Sequence, residues 1–370
     1  MKVALLTNFI PPYRISLLET LAKNVNSLKV FVSTEMEKNR DWKKDHGTLD
    51  VVVQKSWSYT KKWTNENGYS EQSTVHLPLN TVRLLRKMKP EVVISAELGF
   101  RSLLASIYCK LYRKPLILWL TLSERTESNK KGLRKILRKR LLKSATAVLG
   151  NGASCERYIR SLNYSGSFFF VPYTTDFIQE EDVSSVHQTR TLLSVGQLIE
   201  RKGITEMAAA LSRWSKANKD KKVKLLVAGE GPEKKWLDDL KSYENIELEL
   251  LGNVTYDELP NVYAQADLFL FPTLGDEWGV VVNEALSYQV PVVGSVHSQA
   301  VEELIEDEKN GWVFQSDDAS DFDRVLNRAL SCSDDELIQM KGKCAQSLEK
   351  VSVALAVENM VKAINYVQSK

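Results

Sequence analysis

The stretch DLFLFPTLGDEWGVVVNEALSYQVPVVG, residues 267–294, contains a strand, a loop, a helix and a second strand in succession. Its first and last segments are short apolar runs, which are typical of strands buried on both faces of a parallel sheet. Between them, a loop that contains glycine leads into a helical pattern. The stretch therefore predicts a βαβ unit, and it raises the question of whether the start of its helix binds an anion.

The same alternation of apolar runs and amphipathic stretches extends through the whole chain. Strands are predicted at residues 2–7, 28–33, 91–96, 115–120, 146–150 and 168–172, and then at 191–196, 223–229, 246–252, 267–273, 290–294 and 311–314. Two such blocks predict an α/β protein with two Rossmann-like domains that face each other across a cleft. The predicted domains are residues 1–175 and 176–350, and residues 351–370 are expected to form a helix that packs back on the first domain.

The charge of the chain is divided unevenly between these domains. Residues 1–175 contain 30 Lys and Arg against 13 Asp and Glu, whereas the remainder contains 20 against 34, and the whole chain carries +3. This asymmetry predicts that the first domain lies near an anionic surface or ligand. The four cysteines are scattered without a CxxC pattern, which favours reduced thiols and argues against structural zinc. No apolar run reaches the length of a spanning helix, so we expect a cytoplasmic protein.

Ligands of parallel α/β sheets bind beyond the carboxyl ends of the strands, so the strand-to-helix loops are the places to search. In SVGQLIERKGITEMAAAL, Arg201, Lys202 and Gly203 lie between a strand and a helix. A basic pair there suits an oligophosphate, although a solvated loop with a glycine turn is an equally good interpretation. The free N–H groups around Gly279, Val280 and Val281 would point toward the same region.

Two carboxylates, Asp276 and Glu284, bracket the start of the helix in the opening stretch. On a continuous helix, eight positions span roughly 12 Å and rotate by about 80°. The two groups therefore suit two ends of one elongated ligand better than a hydrolytic pair acting on one atom. The alternatives are that Asp276 is a helix N-cap and that Glu284 is an exposed helical charge.

The segment DEWGVVVNEAL resembles the E-x-[FW]-G-x4-E motif of the retaining GT-B glycosyltransferases of family 4. Other segments follow in the order typical of that family, namely SVGQLIERKG, VAGEGP, LGNVTYDELPNVYAQADLFLFPT and PVVGSVHSQAVEELIEDEKNGWVF. The resemblance covers residues 190–330 strongly and the first half of the chain more loosely. It implies that Lys202 contacts the donor diphosphate and that the amides after Gly279 hold its distal phosphate. It also implies that Glu284 binds the ribose hydroxyls and that Asp276 binds the transferred sugar.

Two positions depart from the family pattern. Asp276 stands where the family usually has Glu, so its side chain is one methylene shorter, and the neighbouring Glu277 is a candidate substitute. Gln197 stands where the family generally has an Arg that contacts phosphate, and Arg201 is a candidate to compensate. These departures bear on the identity of the donor more than on the class of reaction.

The first domain contains two candidate acceptor loops. Pro12, Tyr13 and Arg14 follow the first predicted strand, and similar PPYR loops occur in the family. Arg14 would touch donor phosphate or an anionic acceptor and Tyr13 would stack on a sugar, unless the segment is a proline-rigidified turn with a surface arginine. Glu124, in WLTLSERTES, resembles the acidic residue of a W-S-E-S loop, which implies that it orients or deprotonates an acceptor hydroxyl. The alternative is a solvated loop carboxylate.

A strongly basic segment, SNKKGLRKILRKRLLKSA, contains eight Lys and Arg within residues 130–143, with leucines at roughly helical spacing. It predicts a basic amphipathic helix that lies on an anionic bilayer. The predicted membrane-facing residues are Lys131, Arg134, Lys135, Arg138 and Lys139. The alternative is that the leucines face the core while the cations are only solvated. We expect no nucleic-acid partner, because aromatic interleaving and a recognition motif are both lacking.

The resemblance therefore implies a glycosyltransferase that moves a hexosyl group from a nucleotide-diphosphate sugar, such as a UDP-sugar. The expected acceptor is a lipid-linked glycan or an envelope, capsule or lipopolysaccharide glycan at the inner face of the cell membrane. The resemblance implies retention of anomeric configuration without a metal or other cofactor. Two alternatives are a nucleotide-sugar epimerase or hydrolase of the same fold and a non-catalytic nucleotide-sugar-binding protein of the membrane surface.

Overall fold

The computed structural model of the chain describes residues 1–37, 45–64, 70–127, 132–175 and 186–370. The described residues divide into two compact units. Among the described residues, the first contains 1–37, 45–64, 71–127, 132–175 and Val351–Lys370, and the second contains Ser70 and 186–350.

The elements of the chain follow in order. Up to residue 170 they are β1 (Lys2–Thr7), α1 (Ile15–Lys23), β2 (Ser27–Val32), β3 (Asp50–Val53), β4 (Ser56–Thr64), β5 (Ser70–Pro78), α2 (Thr81–Met88), β6 (Val92–Ala96), α3 (Phe100–Tyr112), β7 (Leu116–Leu120), α4 (Glu124–Glu127), α5 (Leu133–Ser144), β8 (Ala147–Gly150), α6 (Ala153–Ser161) and β9 (Ser167–Phe170). From residue 190 they are β10 (Arg190–Val195), α7 (Ile204–Ala217), β11 (Val223–Ala228), β12 (Ile246–Gly252), α8 (Leu259–Tyr263), β13 (Leu268–Phe271), α9 (Val280–Ser287), β14 (Val292–Ser295), α10 (Gln299–Leu304), β15 (Gly311–Phe314), α11 (Ala319–Ser331), α12 (Asp334–Cys344) and α13 (Val353–Gln368).

The first unit is built on a parallel sheet with strand order β3-β2-β1-β6-β7-β8-β9. Side chains alternate across it, so Val3 and Leu5 join the core beneath α1 and α13, whereas Ala4 and Leu6 join the core beneath α3 and α5. The sheet is thus covered on both faces, as parallel sheets require. The last helix, α13, buries Met360 and Ile364 in the first of these cores and thereby belongs to the first unit.

The second unit is also built on a parallel sheet, with strand order β12-β11-β10-β13-β14-β15. Its main core packs apolar residues of α7 and α11 against the strands, including Trp214 and the stacked rings of Phe314 and Phe322. Strands β10 and β13 are neighbours, so the loops that follow them meet at the carboxyl edge of the sheet.

The α/β architecture with parallel sheets is confirmed, and each predicted strand corresponds to one in the structure. Sequence reasoning missed β3, β4 and β5. Strand β3 lies at the edge of the first sheet, and its apolar run is only Val51, Val52 and Val53, which are half-buried or exposed. Strands β4 and β5 form a separate pair rich in polar residues. No helix among the described residues is long and apolar enough to cross a membrane.

Candidate functional site

The loop after β10 forms a 3-10 turn, Glu200–Lys202, that packs closely against the loop after β13. Gly203 ends the turn with φ +71°, and a Cβ atom there would lie 2.0 Å from the carbonyl oxygen of Pro272. Only glycine permits this approach. The carbonyl of Arg201 accepts hydrogen bonds from the amide of Leu274 (2.9 Å) and the hydroxyl of Thr273 (3.0 Å), which join the two loops.

This packing brings three predicted site residues into one charge cluster. The Nζ of Lys202 lies 2.5 Å from Asp276 Oδ2, and Nη1 of Arg201 lies 3.2 Å from the same oxygen. All three side chains are less than one-fifth exposed. Burial by itself raises the pKa of Asp276, but the charges of Lys202 and Arg201 outweigh it and hold that pKa well below its usual value. The carboxylate predicted to contact the sugar is therefore paired with the two cations predicted to contact phosphate.

The start of α9 lies four residues beyond this cluster. Gly279 precedes the helix with φ +104°, and a Cβ atom there would lie 2.7 Å from the ring of Phe271 and 2.8 Å from the hydroxyl oxygen of Ser298. In the first helical turn the amides of Val280 and Val281 have no acceptor within the helix, and this end carries the positive pole of the helix dipole. The helix start is therefore suited to receive an anion.

Glu284, in the second turn of α9, is half-buried among tyrosines. Tyr263 is fully buried and donates a hydrogen bond from its hydroxyl to Glu284 Oε2 at 2.9 Å, while the ring of Tyr288 stacks on that of Tyr263. Burial raises the pKa of Glu284, and the hydrogen bond from Tyr263 opposes that shift only in part. Beside these groups lies a cavity of about 210 Å³, lined by Tyr256, Asp257, Leu259, Pro260, Tyr263, Glu284 and Tyr288.

Two interpretations of these carboxylates are wrong. Asp276 is not the N-cap of α9, because Gly279 occupies that position and Asp276 is held by the two cations. Glu284 is not an exposed helical charge, because Tyr263 and Tyr288 enclose it. The side chains of Gln197 and Glu277 are exposed.

In the first unit, Arg14 belongs to an aromatic cluster instead of forming a surface cation. Pro12 begins a 3-10 turn, Pro12–Arg14, after β1. The guanidinium of Arg14 lies 4.4 Å from the ring centroid of Trp119 and 5.1 Å from that of Tyr173, within cation–π range of both. The rings of Tyr13 and Tyr173 have centroids 5.5 Å apart. The predicted acceptor loop at Pro12–Arg14 thus contacts residues at or beyond the carboxyl ends of β7 and β9.

Glu124 is the first residue of α4, and its carboxylate is paired. Arg157 on α6 donates from Nε to Glu124 Oε2 at 2.7 Å, and both side chains are about half exposed. The amide of Glu124 donates to the hydroxyl of Ser154 at 3.0 Å. The loop is therefore ordered by α6 and holds the carboxylate at the carboxyl edge of the first sheet.

Helix α5 confirms the predicted basic helix but corrects one of its assignments. Arg138 is not membrane-facing, because its guanidinium is paired with the buried carboxylate of Glu127 and with the hydroxyl of Tyr158. Arg134, Lys135 and Lys139 are exposed, and Lys131 lies outside the described residues.

The leucines of the basic segment divide between core and solvent. Leu141 and Leu142 are buried and anchor the end of α5, as the alternative of a core-facing helix predicts. Leu133 is 84% exposed and Ile136 is 51% exposed at its beginning. The start of the helix therefore presents both apolar and basic side chains to solvent.

Sequence reasoning missed the tyrosines around Glu284 and the aromatic partners of Arg14. Tyr256, Tyr263 and Tyr288 belong to three separate segments of the sequence, so no local pattern links them. Trp119 and Tyr173 could have been identified from the sequence, because each lies at or just beyond the carboxyl end of a predicted strand.

Residues 177–346 match the family model described as "Glycosyl transferases group 1". Among curated proteins, the chain is 32% identical over 144 residues to an uncharacterized glycosyltransferase, MJ1607, of Methanocaldococcus jannaschii. It is 28% identical over 166 residues to the putative colanic acid biosynthesis glycosyltransferase WcaL of Escherichia coli K12. These matches cover 37% and 43% of this chain but only 36% and 40% of the relatives, well under two thirds of their length.

Solved structures resemble the chain over nearly its whole length. The apo form of the lipopolysaccharide outer core galactosyltransferase WaaB has a TM-score of 0.74 at 16% identity, covering 98% of this chain and 99% of its own. Anabaena Alr3699/HepE in complex with UDP has a TM-score of 0.71 at 14% identity, covering 99% and 100%. The chain therefore has the GT-B fold, and the part of it that matches the glycosyl transferases group 1 model lies in the second unit.

The charge cluster predicts that Asp276→Asn destabilises the second unit. The depressed pKa of Asp276 means that its ion pairs stabilise the fold at neutral pH and are lost only as pH falls below the usual carboxyl range. Removing the charge leaves Lys202 and Arg201 without their shared anion, at a cost on the order of 2 kcal/mol. Thermal denaturation at pH 7 should show a lower Tm, and pyrophosphate should stabilise this variant more than the native chain. The exposed Asp239→Asn is the control, and an unchanged Tm for Asp276→Asn would contradict the prediction.

The raised pKa of Glu284 predicts an opposite effect for Glu284→Gln. A carboxyl whose pKa is raised by folding destabilises the native state at pH values above that pKa, and the effect disappears as the pH falls through it. Glu284→Gln should therefore have a higher Tm than the native chain at pH 8, with the difference shrinking toward pH 5. Differential scanning fluorimetry at both pH values tests this, with the exposed Glu244→Gln as control. A lower Tm at pH 8 would refute it.

Proposed function

We propose that the protein is a glycosyltransferase that moves a hexosyl group from a nucleotide-diphosphate sugar to a saccharide acceptor. The observation that carries the proposal is the set of groups at the carboxyl edge of the second sheet. The site matches a diphosphate through Lys202, Arg201 and the start of α9. It matches a nucleoside through the cavity beside Glu284. The family match of this unit supports the same class of reaction.

In the proposed donor complex, the diphosphate replaces the carboxylate of Asp276 as the anion beside Lys202 and Arg201. The amides of Val280 and Val281 receive the distal phosphate, and Gly279 allows the chain to enter the helix against Phe271 and Ser298. Asp276 is then released to accept hydrogen bonds from the hydroxyls of the transferred sugar. One carboxylate thus pairs with the two cations without donor and contacts the sugar with donor bound.

The nucleoside end of the donor is proposed to lie beside α9. Glu284 accepts hydrogen bonds from the ribose hydroxyls, and Tyr263 holds its carboxylate in place. The aromatic lining of the adjoining cavity suits a planar base. The similarity in fold to a protein solved with UDP supports a uridine nucleotide as the first donor to test.

Transfer is proposed to proceed with retention of configuration and without a metal, as the resemblance to family 4 implies. The negative charge that develops on the leaving diphosphate is stabilised by Lys202, Arg201 and the helix amides, which are fixed before the reaction begins. On the acceptor side, Glu124 orients the attacking hydroxyl while Arg157 holds its carboxylate. Tyr13 and Arg14 contribute to the acceptor surface.

The acceptor is proposed to be a lipid-linked or envelope glycan at the cytoplasmic face of the cell membrane. Two observations support this. One is that WcaL is named for colanic acid biosynthesis and that WaaB, which is similar in fold, is a lipopolysaccharide galactosyltransferase. The other is the exposed start of α5. Leu133 and Ile136 are exposed there beside Arg134, Lys135 and Lys139, a combination suited to an anionic bilayer surface.

Lys202→Ala should lose nucleoside diphosphate binding, because it removes a charge-assisted contact to phosphate. Binding is measured by thermal shift and calorimetry with UDP, GDP and ADP, and the affinity should fall at least roughly tenfold. Lys222→Ala is the matched control, since Lys222 is exposed at the opposite edge of the same sheet. Unchanged affinity in Lys202→Ala would count against the proposal. Donor turnover that needs no acceptor would favour an epimerase or hydrolase.

Reversing two charges on α5 should weaken membrane binding. The double variant Lys135→Glu with Lys139→Glu should bind phosphatidylglycerol vesicles at least roughly thirtyfold more weakly in sedimentation, since each removed cation contributes about 1 kcal/mol. Lys23→Glu with Lys362→Glu is the control, because it makes the same change of charge on α1 and α13 across the sheet. Equal loss in both double variants would mean that net charge, and not α5, determines binding.

A further inference from the structure

The first sheet has its own topological switch point, between β1 and β6. From β1 the chain continues to β2 and β3 on one side, and later strands from β6 onward lie on the other side. In open parallel sheets the loops diverge at such a point and leave a crevice beyond the carboxyl ends of the strands. The residues that follow β1 and β6 are therefore candidates for ligand contact.

A buried arginine lies at this point. Arg101, in the first turn of α3, donates from Nη2 to Asn8 Oδ1 and to Ser33 Oγ, both at 2.5 Å. Its Nη1 lies 3.2 Å from Glu97 Oε1, and Asn8 Nδ2 lies 3.4 Å from the other carboxylate oxygen of Glu97. Residues that follow β1, β2 and β6 are thus joined through one guanidinium.

The two charges of this pair differ in their exposure. Arg101 is fully buried, and its Nε makes no hydrogen bond within the described residues, whereas the side chain of Glu97 is 37% exposed. Here the cation is fixed inside the fold and the carboxylate retains an open face toward solvent.

The backbone of Glu97 is held in an uncommon conformation. Its φ is +73°, in the left-handed region of backbone conformation that residues other than Gly and Asn rarely adopt. Its amide donates to the carbonyl of Trp119 at 3.1 Å, and its carbonyl accepts from the hydroxyl of Ser102 at 2.5 Å. Strained residues of this kind occur preferentially where a side chain must be aimed at a ligand.

We propose that Glu97 binds hydroxyl groups of a saccharide at this switch point, with Arg101 as the positioning residue behind it. A carboxylate beside a fixed cation accepts hydrogen bonds and donates none. The neighbouring guanidinium repels a cationic ligand, so neutral hydroxyl donors are the matching chemistry. The backbone of Glu97 is hydrogen-bonded to that of Trp119, whose ring belongs to the aromatic cluster around Arg14, and such a cluster suits the face of a sugar ring.

This inference rests on the proposed function, because in a glycosyltransferase the saccharide bound by the first unit is the acceptor. The donor contacts lie in the second unit. Saccharide binding at Glu97 and nucleotide binding at Lys202 can therefore be measured separately.

The experiment uses the full chain with the methyl glycosides of glucose, galactose, mannose and N-acetylglucosamine as probes. Saturation-transfer NMR identifies the glycosides that bind, and amide shift changes on the native chain locate them. We expect the amides of Asn8, Glu97 and Arg101 to shift. Glu97→Gln should bind the selected glycoside roughly tenfold or more weakly while its affinity for UDP equals that of the native chain.

The matched control is Glu91→Gln, an exposed carboxylate just before the amino end of the same strand, β6. If Glu97→Gln does not fold, Glu97→Asp keeps the charge opposite Arg101 but withdraws the carboxylate by one methylene, and it should also weaken glycoside binding. The proposal is overturned if no glycoside binds, if the shifts lie elsewhere, or if the variant at Glu97 binds like the native chain. Failure of UDP to bind the native chain would instead refute the proposed donor.

Discussion

The second unit depends on the ion pairs that Asp276 makes with Lys202 and Arg201. These charges come from loops after two neighbouring strands, β10 and β13, and they lie largely out of solvent. An isolated charge buried to this extent would be costly, so each loop requires the other. Gly203 makes the meeting sterically possible by allowing its loop to touch the Pro272 carbonyl. The same arrangement keeps two cations ready for an anion that can compete with the Asp276 carboxylate.

The first unit uses its excess of cations differently. Arg14 packs over Trp119, Arg138 pairs with buried Glu127, and Arg101 is enclosed behind Glu97. Guanidinium groups suit these positions because they stack on aromatic rings and bond carboxylates through a planar fork. Part of the positive charge that distinguishes the first half of the sequence is therefore internal structure. The exposed cations of α5 are the part of this charge that can contact an anionic surface.

The strands and several site residues were predictable for a physical reason. A strand buried on both faces must be apolar throughout, so its run of sequence is visible without knowledge of its neighbours. Lys202 and Asp276 follow such runs, where ligand contacts are expected, and Glu284 lies in the second turn of the next helix. Strand β3 was missed because its apolar run is only three valines long. Glu97 escaped because a single carboxylate after a strand carries no signal until Arg101 is seen behind it.

The sequence alone determined the α/β class, the succession of strands and the loops that carry charge, because these follow from local patterns of apolar and polar residues. The tertiary structure decided which charges meet. It paired Asp276 with the cations that were predicted to hold phosphate, turned Arg138 inward, and enclosed Glu284 among tyrosines from separate segments. Such contacts join residues distant in the chain, and their energies depend on burial, which only the packed fold establishes.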